Sequence, residues 1–366
     1  MRGARIDRPL AFLIAALVFG GAFIFASAVF GLLARGASHT SSVVFSHIVL
    51  GIGMGGVALF IASKLDYKLW RRFAFYIFIS ALVLTAAVFI PQIGLEHGGG
   101  RRWLSVFGFS MQPAEFLKTA TIIMAATYFA AIRARISDPR WGLGGLGLIL
   151  AGPTLLLIAQ PDLGTLGIIL FSVFAIFFAA GARWRDLLIV VLTGIIAIAL
   201  LATIRPYVRD RVAVFFNPSQ APQAEGYQIR QSLIAIGSGG FLGRGFGQSV
   251  QKFSYLPEPM GDSIFAVVGE EFGFVGGVAL IGIFLALALR GFTIASHVPD
   301  PFGALLAVGI STYLVSEAFI NIGAMLGIAP LTGIPLTFIS QGGSAMLASL
   351  GSAGILLAIS RRASRA

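Results

Sequence analysis

Long apolar stretches separated by short polar segments dominate the chain. They are continuous, without the alternation of apolar and polar residues that a membrane β-barrel requires. A helix of about 20 apolar residues crosses the hydrocarbon of a bilayer, and a helix satisfies its own backbone amides there. The pattern therefore predicts an all-α, polytopic membrane protein with about ten spans. The predicted spans are 9–33, 42–63, 73–93, 113–132, 143–159, 163–181, 187–204, 263–289, 302–326 and 338–360.

Composition supports a membrane protein and restricts its chemistry. Only 11% of residues are charged, whereas soluble domains carry about a quarter. The chain has no cysteine, which excludes disulfides and cysteine-based metal sites. Its four histidines (His39, His47, His97 and His297) show no ligand spacing, so we expect no protein-held transition metal.

The net charge of +11 comes from basic residues in short groups between the apolar stretches. Because they form no single basic patch, we expect no nucleic-acid partner. Arg2, Arg5 and Arg8 precede a stretch that is too long for the apolar region of a signal peptide. We therefore expect that stretch to be retained as the first span.

The distribution of charge predicts the orientation in the membrane. Most of the 26 Lys and Arg residues lie in the connections on the same side as both termini. Basic connections face the cytoplasm, so both termini are predicted to be cytoplasmic in the plasma membrane. Most of the 15 Asp and Glu residues lie toward the other side. We call this the predicted outer side, and we expect the chemistry to take place there.

We expect a single membrane domain over residues 1–366, with one long outer connection over 205–262 between spans seven and eight. Loops longer than about 15 residues are usually functional or disordered. Tyr227, Ile229, Leu233 and Ile236 follow helical spacing within the connection. The spacing predicts an amphipathic helix on the outer surface.

Glu115 and Lys118 are ionisable residues near the start of the fourth predicted span. Three positions apart, they share a helix face and can pair. The pair is either a structural ion pair at the membrane boundary or an electrostatic element that faces a polar cavity. Asp162 follows Pro161 before the sixth predicted span, where we expect it to act as a helix N-cap.

A glycine-rich segment covers residues 237–247. It has neither a G-x-G-x-x-G motif nor a P-loop lysine, so we reject a nucleotide site. It is either a flexible outer loop or a backbone that closes around a substrate.

Asp262 stands where the long connection enters the eighth predicted span, and Glu270 and Glu271 lie about two turns further along. An N-cap role would lower the pKa of Asp262, whereas burial among acidic neighbours would raise it.

Two further outer segments are candidates. Arg101 and Arg102 beside Trp103 could clamp a lipid pyrophosphate, or they could flank an aromatic anchor in the membrane interface. The prolines and glycines of residues 330–344 would break a helix. Such a break is tolerated at membrane depth only inside protein or along a polar cavity.

Together these segments resemble the SEDS family (shape, elongation, division and sporulation proteins), which includes FtsW and RodA. The stretches Gln-Ser-x-Ile-Ala-Ile-Gly-Ser-Gly-Gly and Lys-x-x-Tyr-Leu-Pro-Glu resemble FtsW, the division member, more than RodA. The matching segments occur in family order over most of the chain. They are 100–103, 112–118, 160–165, 226–240, 252–258, the Asp262 segment and 330–344.

The resemblance implies polymerisation of lipid II into peptidoglycan strands, from an undecaprenyl-pyrophosphate-linked glycan, on the outer face of the plasma membrane. It also implies a class B penicillin-binding protein as partner, alongside other division or elongation proteins. The family's proposed catalytic aspartate falls on Asp262. Gly261 and Ser263 replace the usual neighbours in Thr-Asp-Phe. Leu-Thr-Phe and Gly-Gly-Ser-Ala, at 336–338 and 342–345, replace Leu-Pro-Phe and Gly-Gly-Ser-Ser.

In the resulting hypothesis, Asp262 is the general base that activates a sugar hydroxyl of lipid II. Cations would offset the charge of the leaving pyrophosphate. A divalent cation (Mg²⁺ or Mn²⁺) could share this task, although no ligand set is visible. The alternatives are a lipid II flippase and a non-catalytic scaffold for the penicillin-binding protein. The candidate substrate-binding residues are Arg101, Arg102, Glu115, Lys118, Arg244, Lys252, Glu258 and Ser340.

Overall fold

The structure is a computed structural model, and it describes residues 6–34, 40–97, 100–106, 109–216 and 225–363. Most of the described residues lie in helices. In chain order the helices are α1 (Arg8–Ala34), α2 (Thr40–Phe45), a π-helical segment (Ser46–Met54), α3 (Gly55–Lys64), α4 (Lys68–Ala86), α5 (Pro113–Ala131), α6 (Gly142–Ala159), α7 (Leu163–Ala179), α8 (Trp184–Ile204), α9 (Pro206–Phe216), α10 (Glu225–Ser238), α11 (Gln251–Ser254), α12 (Ile264–His297), α13 (Pro301–Met325) and α14 (Gly343–Ala363).

The predicted multi-pass helical architecture is confirmed. Within the described ranges, eight helical stretches are long and apolar enough to cross a membrane. The two remaining predicted spans are α5, which carries the Glu115–Lys118 pair, and α7, which has 17 residues. Several predicted boundaries differ from the observed ones: the eighth predicted span ends at 289 but α12 ends at His297, and the tenth begins at 338 but α14 begins at Gly343.

Burial is concentrated in the last two helices. In the most apolar windows of α13 and α14, 78% of the residues are buried inside the protein, against 6% in α8. Helices α5 and α7 pack against α13, whereas α14 packs against α3. Close approach of α3 and α14 uses small residues, because a Cβ on Gly55 would lie 2.7 Å from Leu350. The core therefore surrounds α13 and α14.

The connection 94–112 contains a small antiparallel sheet that the all-α prediction missed. Its strands are β1 (Gly94–His97), β2 (Gly100–Val106) and β3 (Phe109–Met111), in the order β1-β2-β3. Leu95 pairs with Trp103 in one ladder, and Leu104 pairs with Met111 in the other. The sheet precedes α5 directly, and so it holds the arginines of β2 at the predicted outer end of the bundle.

The long connection 205–262 contains helices α9, α10 and α11. Helix α10 packs against α12 through Ala235 and Ile236, and it contacts α13 through Ser232, whose hydroxyl donates to Met325 Sδ (3.3 Å). The predicted helix is present, with Ile229 buried in the protein and Leu233 44% exposed. Its placement on the outer membrane surface stays a prediction.

The glycine-rich segment 237–247 packs directly on a kink in α12. Gly273, inside α12, has φ +66°, and a Cβ there would lie 2.3 Å from the amide nitrogen of Gly243. The main chain is bonded across this contact, since Phe274 N donates to Gly240 O (2.9 Å). The segment is thus a packed element rather than a flexible loop, and its glycines allow two backbones to touch.

Candidate functional site

A cavity of about 80 Å³ opens at the predicted outer end of the bundle. Its wall combines strand β2, the first turns of α5 and α7, and the proline- and glycine-rich turn before α14. Six of the lining residues are polar or charged. The lining residues are Arg102, Trp103, Gln112, Glu115, Lys118, Asp162, Thr165, Ile168, Gly333, Ile334 and Pro335.

A buried ionic cluster forms one end of this cavity. Lys118 Nζ lies 2.9 Å from Glu115 Oε2, which confirms the predicted pair, and 3.0 Å from Glu317 Oε2 on α13. All three side chains are at most 3% exposed. The ring of Tyr313 lies 4.8 Å from the ammonium. One ammonium therefore serves two carboxylates in a cluster that borders the cavity.

Sequence reasoning did not include Glu317 among the site residues. A carboxylate near the middle of the ninth predicted span was a usable signal, because ionisable groups within membrane helices are expensive and usually functional. Its partner could not be inferred, because Lys118 lies 199 positions earlier in the chain.

Arg102 and Asp162 also line the cavity. Arg102 donates hydrogen bonds to the main-chain carbonyls of Gln160 (3.0 Å) and Pro161 (2.5 Å). Asp162 caps α7 by accepting from Thr165 N (3.2 Å), as predicted, and it also accepts from the Gln112 amide (3.1 Å). The cap residue is thus a cavity residue as well.

The two adjacent arginines take different partners. Arg102 is the extra residue of a β-bulge, because Leu95 pairs with Trp103 and Glu96 pairs with Arg101. Arg101 forms an exposed ion pair with Glu96 (3.4 Å) and does not line the cavity.

Asp262 lies in the turn before α12. It makes no side-chain cap to that helix, whose N-cap residue is Ser263. Its Oδ1 is buried without a hydrogen-bond partner among the described residues. Burial raises the pKa of Asp262 to about 6, the exposed Glu258 nearby raises it further, and Gln228 and Arg211 oppose the shift. A carboxyl group with this pKa is suited to accept a proton near neutral pH.

Asp262 does not line the cavity, but the main chain around it is bonded to the cavity wall. Asn321 Nδ2 donates to the carbonyls of Asp262 and Ile334, both at 2.8 Å. Ser340 Oγ donates to Gly261 O (2.6 Å) and accepts from Leu336 N (2.8 Å). In this structure Ser340 therefore bonds two main-chain segments to each other. Residues 336–340 of this turn are buried in protein, whereas Pro330 and Gly333 are exposed.

A second buried cluster lies beside the kink of α12. Lys252 Nζ contacts Glu271 Oε1 at 2.5 Å and Ser27 Oγ of α1 at 2.7 Å, with both charged side chains fully buried. Glu270 accepts from Ser249 Oγ (2.6 Å) and Val250 N (2.9 Å). These carboxylates fasten the segment before α11 to α1 and α12.

Two predicted binding residues belong to this second cluster, namely Lys252 and Arg244. The Arg244 guanidinium, on a 41% exposed side chain, lies 3.7 Å from Glu270. Neither residue lines the cavity.

Helix α9 carries two further groups near both parts of the site. The guanidinium of Arg211 lies 5.5 Å from the ring of Tyr207. The buried hydroxyl of Tyr207 has no hydrogen-bond partner in the described part of the chain. Burial raises the pKa of Tyr207, the nearby cations Arg211 and Arg102 oppose the shift, and Asp162 adds to it. The positive charge of Arg211 also lowers the pKa of Asp262.

No group of three or more His, Asp or Glu side chains among the described residues is arranged to hold a metal ion. The structure therefore assigns no residues to the divalent cation considered above, and no step below depends on one.

Comparison with known proteins places this chain in a family. Residues 8–365 match the family model of FtsW, RodA and SpoVE, which is described as "Cell cycle protein". The chain belongs to the FtsW/RodA/SpoVE family.

Two relatives and two solved structures illustrate the match. Stage V sporulation protein E of Bacillus subtilis (strain 168) is 38% identical over 314 residues, which are 86% of each protein. The probable peptidoglycan glycosyltransferase FtsW of Trichlorobacter lovleyi is 35% identical over 363 residues, 98% of this chain and 94% of the relative.

The first solved structure is described as "Structural coordination of polymerization and crosslinking by a peptidoglycan synthase complex". One chain in it has a TM-score of 0.78 and 28% identity, over 97% of this chain and 98% of its own. The second is the rod shape determining protein RodA of Thermus thermophilus, with a TM-score of 0.69 and 28% identity. The match covers 98% of this chain and 97% of the RodA chain. The family and the polytopic helical fold predicted from sequence are confirmed.

Proposed function

We propose that this family member is a peptidoglycan glycosyltransferase that polymerises lipid II on the outer face of the plasma membrane, with both termini in the cytoplasm. Relatives over nearly the whole chain carry the name of this activity. Positive charge in the connections on the side of the termini supports the orientation.

The observation that carries the proposal is the state of Asp262. Its carboxylate is largely buried, Oδ1 lacks a partner among the described residues, and its pKa is raised to about 6. Buried polar atoms are normally hydrogen-bonded, so an unpaired carboxylate oxygen marks a place for a donor from a ligand. A sugar hydroxyl is such a donor, and near pH 7 most Asp262 carboxyl groups can accept its proton.

The reaction then proceeds as an ordinary displacement. The sugar hydroxyl of the incoming lipid II gives its proton to the Asp262 carboxylate, and its oxygen forms a bond to the anomeric carbon of the growing strand. The bond from that carbon to the pyrophosphate oxygen breaks, and its electron pair leaves with undecaprenyl pyrophosphate. Water then takes the proton from Asp262, which restores the carboxylate before the next turnover.

The cavity supplies positive charge for the leaving group. Arg102 is the better placed cation, because its guanidinium donates to main-chain carbonyls and forms no salt bridge with a described carboxylate. Lys118 borders the same cavity but is already paired with two carboxylates. We therefore assign the pyrophosphate contact to Arg102 and the shape of the cavity floor to the Lys118 cluster.

A class B penicillin-binding protein and a role in cell division complete the proposal. A structure similar to this chain is described as a peptidoglycan synthase complex that coordinates polymerisation and crosslinking. Relatives named FtsW support division rather than elongation. A fluorescent fusion should therefore localise to midcell, whereas a sidewall pattern would favour elongation.

The test uses the full chain, purified in detergent with its penicillin-binding protein and supplied with labelled lipid II. Wild-type protein should form glycan strands, and Asp262→Ala should form none. The variant should unfold at the same temperature as the wild type, which shows that its fold is intact. Asp210→Asn is the matched control, because Asp210 is an exposed carboxylate of α9 that pairs with its neighbour Arg209 (3.7 Å). It should retain wild-type activity.

The same preparation separates the rival functions. In detergent no bilayer separates an inner from an outer face, so strand formation requires polymerase activity. A flippase or a scaffold would form no strands under these conditions. Lipid II movement across vesicles without strand formation would support a flippase. Strands formed equally well by Asp262→Ala would remove the catalytic assignment.

A further inference from the structure

We propose that Asn321 is a positioning residue, whose side-chain amide holds the main chain of Asp262 against the wall of the Arg102–Lys118 cavity and thereby sets the rate of the chemical step. This proposal rests on the function proposed above. It concerns a residue of α13 that the sequence reasoning did not select.

The bonds of Asn321 fix its orientation. Its side chain is 2% exposed, and Nδ2 donates to Asp262 O and Ile334 O, both at 2.8 Å. Only the nitrogen of an amide side chain can donate, so two carbonyl acceptors identify which end of the amide is which. One NH₂ group thus joins two segments that are about 70 positions apart in sequence.

The two acceptors belong to the two halves of the site. The first is the carbonyl of the proposed general base itself. The second is the carbonyl of Ile334, a residue that lines the cavity together with Arg102 and Lys118. Since Asp262 does not line the cavity, the Asn321 amide is a direct side-chain link between the base and the cavity wall.

Helix α13 makes this link rigid. Asn321 and Glu317 lie four positions apart and so share a face of the helix. Glu317 pairs with Lys118 at the cavity floor (3.0 Å), while Asn321 binds Asp262 one turn further along. The same helix therefore fixes both the cationic cluster and the carboxylate, over a rise of about 6 Å.

The residues on either side of Asp262 are held separately. Ser340 Oγ donates to Gly261 O (2.6 Å), Gln341 N donates to Met260 O (2.7 Å) and Gln228 Nε2 donates to Ser263 Oγ (2.9 Å). The Asn321 amide bonds the carbonyl of Asp262 itself, so its removal would leave the carbonyls of Asp262 and Ile334 without this donor and loosen the main chain at the carboxylate. Displacement of a reacting group by about 1 Å can reduce a rate on the order of 100-fold.

Two acceptor oxygens near this link have no partner in the described structure. They are Oδ1 of Asp262 and Oδ1 of Asn321, both of which are buried. Neither can be satisfied by the other, because both only accept. A hydroxyl-bearing ligand could donate to either oxygen, so Asn321 is placed to align the hydroxyl as well as the base.

The test compares kcat and KM for labelled lipid II in the purified full chain with its penicillin-binding protein. Asn321→Ala should lower kcat by about 10- to 100-fold and change KM by less than about threefold. Asn321→Asp has the same size but presents oxygens in place of the donor, so it should show the same loss. Ser316→Ala is the control on α13, because the Ser316 hydroxyl bonds to the carbonyl of its own helix (Tyr313 O, 3.2 Å).

The pH profile separates positioning from general weakening of the fold. The charged groups that act on Asp262 are Glu258 on its own segment and Arg211 on α9, and the Gln228 amide of α10 donates to it. Burial dominates its pKa, so a released and more hydrated Asp262 should titrate lower. The acid limb of kcat should move to lower pH in Asn321→Ala and stay in place in Ser316→Ala.

Wild-type kcat and an unmoved acid limb in either Asn321 variant would overturn the proposal, even where Asp262→Ala is inactive. Failure of both variants to fold would also overturn it, since Asn321 would then be a structural residue. Full activity of Asp262→Ala would instead refute the proposed function, which distinguishes the two failures.

Discussion

The ammonium of Lys118 on α5 lies 3.0 Å from a carboxylate oxygen of Glu317 on α13, 199 positions later in the chain. With Glu115 at 2.9 Å from the same ammonium, the cluster holds two carboxylates and one cation, all almost completely buried. Breaking a buried pair by removing one partner leaves an uncompensated charge. The stability of the site therefore depends on which member is removed.

Lys118→Ala should destabilise the protein more than Glu317→Ala. The first change leaves two buried carboxylates without their cation, whereas the second leaves one carboxylate and one ammonium still paired. Loss of a buried partner typically costs about 3–5 kcal/mol. Unfolding temperatures of both variants in detergent check the order. The reverse order would show that Lys118 is not the centre of the cluster.

Lys252 and Glu271 should show strong coupling in a double-mutant cycle. Each single change, Lys252→Met or Glu271→Leu, leaves a buried charge beside Ser27, and it should lower the free energy of unfolding by about 3–5 kcal/mol. The double variant removes both charges, so its loss should be clearly smaller than the sum of the two. Additive losses would contradict a direct pair.

Gly273→Ala should destabilise the protein, while Gly282→Ala in the same helix should not. At Gly273 the backbone has φ +66°, and the added Cβ would meet Gly243 N at 2.3 Å. A Cβ added at Gly282 would meet no neighbouring atom within 4 Å. Alanine there should stabilise the helix by up to about 1 kcal/mol through its higher helix propensity. Thermal unfolding of the two variants measures the difference. Equal unfolding temperatures would mean that the kink is not needed.

Activity should rise with pH through an acid limb near 6, because Asp262 must be deprotonated to act as a base and its pKa is raised to about 6. Glu258→Gln removes a group that raises this pKa and should move the limb to lower pH. Arg211→Ala removes a cation that lowers it and should move the limb to higher pH. The dependence of kcat/KM on pH is the measurement. Shifts of the same sign in both variants would contradict the assignment of the limb to Asp262.

The raised pKa of Asp262 also predicts how the free energy of unfolding changes with pH. The folded protein holds the Asp262 proton more tightly than the unfolded chain, whose pKa is near 3.8. This contribution to stability is present below about pH 4 and is lost as pH rises toward 6. Asp262→Asn should abolish that part of the pH dependence in thermal unfolding. A wild-type pH dependence in this variant would point to another group.

Local sequence was sufficient for features that depend on near neighbours. The N-cap at Asp162 and the ion pair of Glu115 with Lys118 both join residues three positions apart, so helix geometry alone predicts them. The broken helix at 330–342 also followed from its prolines and glycines, although the start of α14 was placed five residues early.

What local sequence missed depends on how segments pair and pack. The sheet β1-β2-β3 was not predicted, and Arg101 and Arg102, candidates for a joint clamp or for the flank of an aromatic anchor, take separate partners in the structure. Glu317 was not selected, because its partner Lys118 lies 199 positions earlier in the chain. Hydrophobic periodicity along one segment does not indicate which other segment it will contact.

By itself the sequence determined the membrane setting, the helical architecture and the family, because long apolar stretches and ordered local motifs are properties of the chain alone. The tertiary structure decided that Glu317 joins Lys118, that Lys252 is locked to Glu271, and that Asn321 links Asp262 to the cavity wall. Each of these contacts brings together groups from separate helices. Their energies come from burial and distance, which exist only once the helices have packed.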